Sequence, residues 1–85
     1  MREERVGVIS HYFGHLGVAA MVLESELAVG DTVHIKGHTT DLTQKIDSIQ
    51  IEHESIPVAK KGEDIAIKVK NHVREHDAVF KVLVE

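Results

Sequence analysis

Leu27-Ala-Val-Gly-Asp-Thr-Val-His-Ile-Lys-Gly37 reads as a turn that feeds a β-strand. Gly30 supplies the positive φ of a tight turn, and Asp31 is of the type that bonds its own backbone there. Val33 and Ile35 then point one way along the strand, while Thr32, His34 and Lys36 point the other. The same cue returns at Lys61-Gly-Glu-Asp-Ile65, where Ile65, Ile67 and Val69 alternate with Ala66, Lys68 and Lys70. Two turn-plus-strand units, each closing on a basic residue, predict a small all-β module.

The flanking segments extend that pattern. Arg5 to Phe13 is β-prone without a helical period and forms a first strand, followed by the connection Gly14-His-Leu-Gly17. Gly17 to Leu23 is apolar on both parities, as expected of a strand buried in the middle of a barrel; a helix through Ala20 to Leu27 is the competing reading. After the polar loop Gly37 to Asp41, the stretch from Leu42 to His53 changes phase, with Leu42 and Ile46 on one parity and Ile49 and Ile51 on the other. A bulge near Asp47-Ser48 would produce that change within one strand. Pro57 confines Glu54 to Lys61 to an edge or bridging strand, because proline donates nothing to a ladder. Asn71 to Asp77 reads as a polar connection, and Ala78 to Val84 as the last strand. Six or seven strands with regular turns favour a closed antiparallel β-barrel or a sandwich.

A chain of 85 residues supports one domain, residues 1–85, with a core that buries about 60–65% of the unfolded surface. Apolar residues at 42% and charged residues at 28% exclude a disordered chain. Tyr12, Phe13 and Phe80 are the only aromatics, so the core rests on Val, Ile and Leu, which favour strands. The net charge of −4 argues against indiscriminate phosphate binding. It is unevenly placed: residues 1–52 carry 4 basic and 8 acidic side chains, a deficit of −4, while residues 53–85 carry 6 of each. Without cysteine there is no disulfide and no thiolate metal site. The start Met1-Arg-Glu-Glu-Arg5 has no apolar run behind it, which points to a cytoplasmic protein.

Three histidine pairs share a four-residue spacing: His11 with His15, His34 with His38, and His72 with His76. On a helix that spacing shares a metal ion, but along a strand it spans roughly 13 Å, so no metal site and no cofactor is expected. No catalytic motif is present: the chain lacks His-Glu-x-x-His, Gly-x-Ser-x-Gly and a phosphate-binding Gly-Lys loop. Lys68 and Lys70 share the solvent parity of their strand, with Lys36, Lys60, Lys61, Arg74 and Lys81 available nearby if the fold gathers them. Such a face is either merely solvated or contacts a partner. Tyr12, beside the glycine turn, is either core or a stacking surface.

Leu27-x-Val-Gly-Asp-x-Val-x-Ile-x-Gly37, then Ile46-x-Ser-Ile-Gln-Ile51, His53-Glu54, Ala59, Gly62 and Ile65-x-Ile-x-Val-Lys-Asn71, resembles the second domain of translation elongation factors of the elongation factor Tu type. The resemblance implies a closed barrel that helps hold the aminoacylated end of tRNA, with Lys70 at a basic position contacting it. Where that family has glycine-rich markers, this chain has Phe13 to His15 and Ala19-Ala20, and its Arg-x-Gly-Asp turn corresponds to Arg74-Glu-His-Asp77 without the glycine. Val6-Gly-Val-Ile-Ser-His-Tyr12 is also similar to the barrel that ends the collagenase-like peptidases. Neither resemblance implies catalysis within the barrel.

The first expectation is therefore a non-enzymatic elongation-factor-like β-barrel that binds tRNA, another RNA or a translation-related protein. Lys68, Lys70, Lys36, Arg74 and Tyr12 are its candidate contacts, with no DNA and no membrane involved. The alternative is a protein-interaction module that docks through an apolar patch on a separate catalytic or GTPase subunit, or on itself.

Overall fold

The computed structural model describes residues 2–83. Ten strands are formed among them: β1 (Arg2–Phe13), β2 (Val18–Leu23), β3 (Leu27–Ala28), β4 (Thr32–Lys36), β5 (Asp41–Lys45), β6 (Ile49–Ile51), β7 (Glu54–Ile56), β8 (Val58–Ala59), β9 (Asp64–Lys68) and β10 (Ala78–Leu83). The expected continuation of the last strand to Val84 lies outside the described residues. No helix among the described residues is long and apolar enough to cross a membrane.

All pairings are antiparallel. Eight strands form one sheet in the order β5-β4-β10-β1-β2-β9-β6-β7, and β3 pairs with β8 apart from it. Alternation places one parity inward along most strands, and the irregular register of β1 brings both Val6 and Ile9 there. Val6 and Ile9 of β1, Ala19 and Met21 of β2, Val33 and Ile35 of β4, Ile65 and Ile67 of β9 and Val79 of β10 meet in one core. The motif strand behaves as its pattern dictates, with Val33 and Ile35 fully buried and Lys36 exposed. Gly30 and Gly62 take the positive φ their turns require, 98° and 91°. Gly37 serves differently: a Cβ there would overlap the Asp77 carboxylate, so its lack of a side chain lets the two segments meet.

The expected closed barrel of six or seven strands is not what the pairing forms. The ladder has two free ends, β5 and β7, and no backbone pairing joins them. β7 is three residues long and stops at Pro57, so it cannot extend the ladder. At the other end the buried Gln44 side chain takes the place of a strand. Its Nε2 donates to the Lys68 carbonyl at 2.8 Å, and its Oε1 accepts from the Lys70 N–H at 2.9 Å. One side-chain amide thus ties β5 to the end of β9 by satisfying a backbone acceptor and a backbone donor there.

Two further expectations are corrected. The phase change at Asp47-Ser48 is not a bulge in one strand. There the chain leaves β5, which pairs with β4, and enters β6, which pairs with β9 and β7. The bulges fall in β1 instead, between Arg5 and Gly7 and between Ile9 and His11. β2 is the expected strand and not the competing helix, but it is buried on one face rather than both: Ala19, Met21 and Leu23 point inward, while Val22 is exposed.

Candidate functional site

The pairing registers decide what the outward parity of the central strands carries. Phe13 lies opposite Val18, Ala20 opposite Ala66, and Ala66 opposite Gln50. These rows cross β1, β2, β9 and β6 and leave small or apolar side chains facing out, with Gln50 at the β6 end. Phe13 and Val22 are exposed on this face, and Leu16, at the tip of the β1–β2 turn, is 67% exposed. The Phe13 ring is steadied edge-on by His11, with centroids 4.4 Å apart.

Two hollows follow from this relief. The larger, about 590 Å³, is floored by Val18, Ala20 and Ala66, walled by Phe13, Leu16 and Ile51, and bordered by Glu52, His53, Glu63 and Asp64. The second, about 330 Å³, shares Leu16, Val18, Gln50 and Ala66 with the first and ends at Ser48 and Lys68. Together they make one continuous groove.

Its rim is built by a tight hairpin. Ile51 pairs with Glu54, which leaves Glu52 and His53 as a two-residue connection between β6 and β7. Both take positive φ, 49° and 68°, the backbone of a type I′ turn. Such turns favour Asn-Gly, and side chains such as Glu and His hold this conformation at a cost on the order of 1 kcal/mol each. Across the groove, the Glu63 carboxylate caps its own turn by accepting the Lys60 N–H at 2.6 Å.

The sequence candidates do not gather in one place. Lys68 borders the groove, and Lys70 follows it beyond β9, with the backbones of both held by Gln44. Tyr12 and Arg74 border a different hollow with His72, Val73 and Glu75. Tyr12 is partly buried against the core, and its ring meets His72 edge-on at 4.6 Å. Arg74 donates its N–H to the buried Asp77 carboxylate at 2.9 Å, closing the Arg74-Glu-His-Asp77 turn. In that turn His76 adopts a φ of 75°, the conformation a glycine would take more easily. Lys36 is exposed at the end of β4, opposite Asp41 and Ala78.

The histidines serve several structural purposes. His34 has both ring nitrogens against carboxylates: Nδ1 on Glu3 at 2.9 Å and Nε2 on Asp41 at 2.5 Å. A ring that donates from both nitrogens is the imidazolium. The hydrogen bond to Asp41, then that to Glu3, hold the His34 pKa above its ordinary 6.5, against the opposing effect of partial burial. Among the described residues no group of three or more His, Cys, Asp or Glu is arranged to hold a metal ion.

Gln44 and the groove's apolar walls are the features the sequence reading missed. Gln44 had a signal, because it sits between Leu42 and Ile46 on the inward parity, where a polar side chain needs partners. Leu16 looked like an ordinary turn residue, and only the fold sets it beside Val18 and Ala66 in the groove.

Known proteins place this geometry. The chain is 35% identical over 80 residues, 93% of its length, to an uncharacterised protease of Methanocaldococcus jannaschii. It is 41% identical over 78 residues to a collagenase of Porphyromonas gingivalis. The chain spans only 20% and 22% of those two relatives. Its fold is that of the C-terminal domain of a putative U32 peptidase from Geobacillus thermoleovorans. That crystal structure superposes with a TM-score of 0.87 at 23% identity, covering 94% of this chain and 93% of that one. The selenomethionine variant of the same domain gives 0.85. No family model matches. The similarity to collagenase-like peptidases read from Val6 to Tyr12 is thereby supported. The elongation-factor reading, with its tRNA or RNA partner, is overturned, because the relatives are a protease and a collagenase rather than translation factors. The misleading cue was turn-and-strand spacing, which reflects β-module geometry more than function.

Proposed function

We propose that this chain is a non-catalytic docking module that fastens to a peptidase-type polypeptide through the outward face of β1, β2, β9 and β6. The observation that carries the reading is the apolar groove on that face. Among the described residues, Phe13 and Leu16 are two of the five large apolar side chains left exposed, and both wall this groove, with Val22 farther along the outward parity of β2. Single exposed apolar residues are ordinary, whereas a contiguous set marks a surface that another molecule covers. The relatives support the identity of that molecule. Proteins named as a protease and a collagenase contain a segment like this chain as about a fifth of their length, so a module of this kind occurs joined to peptidase-named polypeptides.

Of the sequence candidates, Lys68 belongs to this face. Lys36, Lys70, Arg74 and Tyr12 are not required by it. The reading is tested by affinity purification of the tagged chain from its own cells, beside a Leu16→Glu/Ala20→Arg variant. Recovery of a peptidase-family polypeptide with the native chain, reduced at least fivefold with the variant, supports it. Equal recovery with both chains, or no such polypeptide with either, overturns it.

A further inference from the structure

The groove is apolar along its floor but not electrically uniform along its length. Asp64, Ala66 and Lys68 share the outward parity of β9, opposite Val22, Ala20 and Val18 of β2 in turn. Four residues of strand separate Asp64 from Lys68, a span of about 13 Å. At the Asp64 end stand Glu52 and Glu63 as well, giving three carboxylates at one mouth. At the opposite end the charged side chain is Lys68, next to the neutral Ser48 and Gln50. The floor between them is Val18, Ala20 and Ala66, whose small side chains leave the depth of the groove open.

We infer that this groove selects a polypeptide segment of its partner with about four residues of apolar character, a Lys or Arg at one end and an Asp or Glu at the other. The inference rests on the docking reading and specifies the chemistry of what docks. Apolar side chains enter over Val18, Ala20 and Ala66. The cation meets Glu52, Glu63 and Asp64, and the anion meets Lys68. Charges at a groove's ends add little affinity in water, but they reject mismatched partners and set direction. The left-handed backbone at Glu52 and His53 fits this picture, because that strained turn holds the Glu52 side chain at the mouth. A second copy of this chain is disfavoured as occupant, since even in antiparallel pairing three carboxylates of each copy would meet a single Lys68 of the other.

The test uses the intact chain and three capped peptides sharing the centre Leu-Thr-Val-Ala. One carries Lys before and Glu after that centre, one carries Glu at both ends, and one carries Gly at both ends. Fluorescence anisotropy on labelled peptides is expected to give the Lys/Glu peptide at least fivefold tighter binding than the Glu/Glu peptide. Asp64→Lys/Lys68→Asp, which leaves the net charge unaltered, is expected to erase that preference. Glu26→Lys/Lys45→Glu, an exchange of the same size away from the groove, is expected to keep it. Equal binding of all three peptides, no binding of any, or equal loss in both exchange variants would overturn the inference. If charge preference is absent while the purification still recovers a peptidase-family polypeptide that Leu16→Glu/Ala20→Arg loses, the inference falls and the docking reading stands. If the preference is present without such a polypeptide, the docking reading falls.

Discussion

The two flanks of the sheet are built on opposite plans. Around β4 and β5, polar side chains tie segments together: Gln44 bridges to the backbone of Lys68 and Lys70, His34 joins Glu3 to Asp41, and Asp77 caps the turn that packs on Gly37. Over β2, β9 and β6 the outward face carries apolar and small side chains with charges only at its ends. Under the proposed docking reading, folding and recognition are assigned to different surfaces. Losses on the first should appear as lost stability, and losses on the second as lost association at nearly native stability.

The largest expected effect comes from removing the bridge. Gln44→Ala leaves the Lys68 carbonyl and the Lys70 N–H without their partner in a partly buried site and is expected to cost about 2–4 kcal/mol. Chemical denaturation measures it, and a cost under about 1 kcal/mol would break the contrast. Gly37→Ala is next, at about 1–3 kcal/mol, because the added methyl must displace the buried Asp77 carboxylate. Thermal melts of Gly37→Ala beside Gly30→Ala would separate this packing demand from strain at a positive φ.

On the groove side the sign reverses. Glu52→Asn/His53→Gly gives the hairpin the residues its turn prefers and is expected to raise stability by about 1 kcal/mol. The same change removes a carboxylate from the groove mouth, so it should weaken the Lys/Glu peptide while strengthening the fold. A smaller effect is pH-dependent. Because Asp41 and Glu3 raise the His34 pKa in the folded state, its contribution is complete below about pH 6.5 and is lost as pH rises through the raised value. The stability difference between the native chain and His34→Gln is therefore expected to be larger at pH 5.5 than at pH 8.5. A difference independent of pH would show that the ring's charge does not matter. Smallest of all, Leu16→Glu is expected to change stability by no more than about 0.5 kcal/mol, since that side chain is mostly in water.

Much of the fold was legible because its cues are local. The alternation Val33, Ile35 and Ile65, Ile67, Val69 placed two strands and their buried faces, and Pro57 marked an edge. The phase change at Asp47-Ser48 located a discontinuity, but whether a strand bulges or changes partner depends on segments distant in sequence. Closure failed for the same reason: the bond that joins the sheet's flank to β9 comes from one glutamine side chain across 24 to 26 residues. The groove was illegible beyond the general expectation of an apolar patch. Phe13, Val18, Ala20, Ala66 and Gln50 become neighbours only through the registers of three strand pairs. Lys68 was picked out by its exposure, but its surroundings turned out to be apolar and acidic rather than a basic stripe.

Photo-crosslinking tests the central claim most directly. Benzoylphenylalanine is placed at position 16 on the groove wall and, in a second chain, at position 45 on the tied flank, and both are irradiated in cells. The account predicts that the position-16 chain alone becomes joined to a peptidase-family polypeptide identified by mass spectrometry. Crosslinks to that polypeptide only from position 45, or in equal yield from both positions, would contradict it.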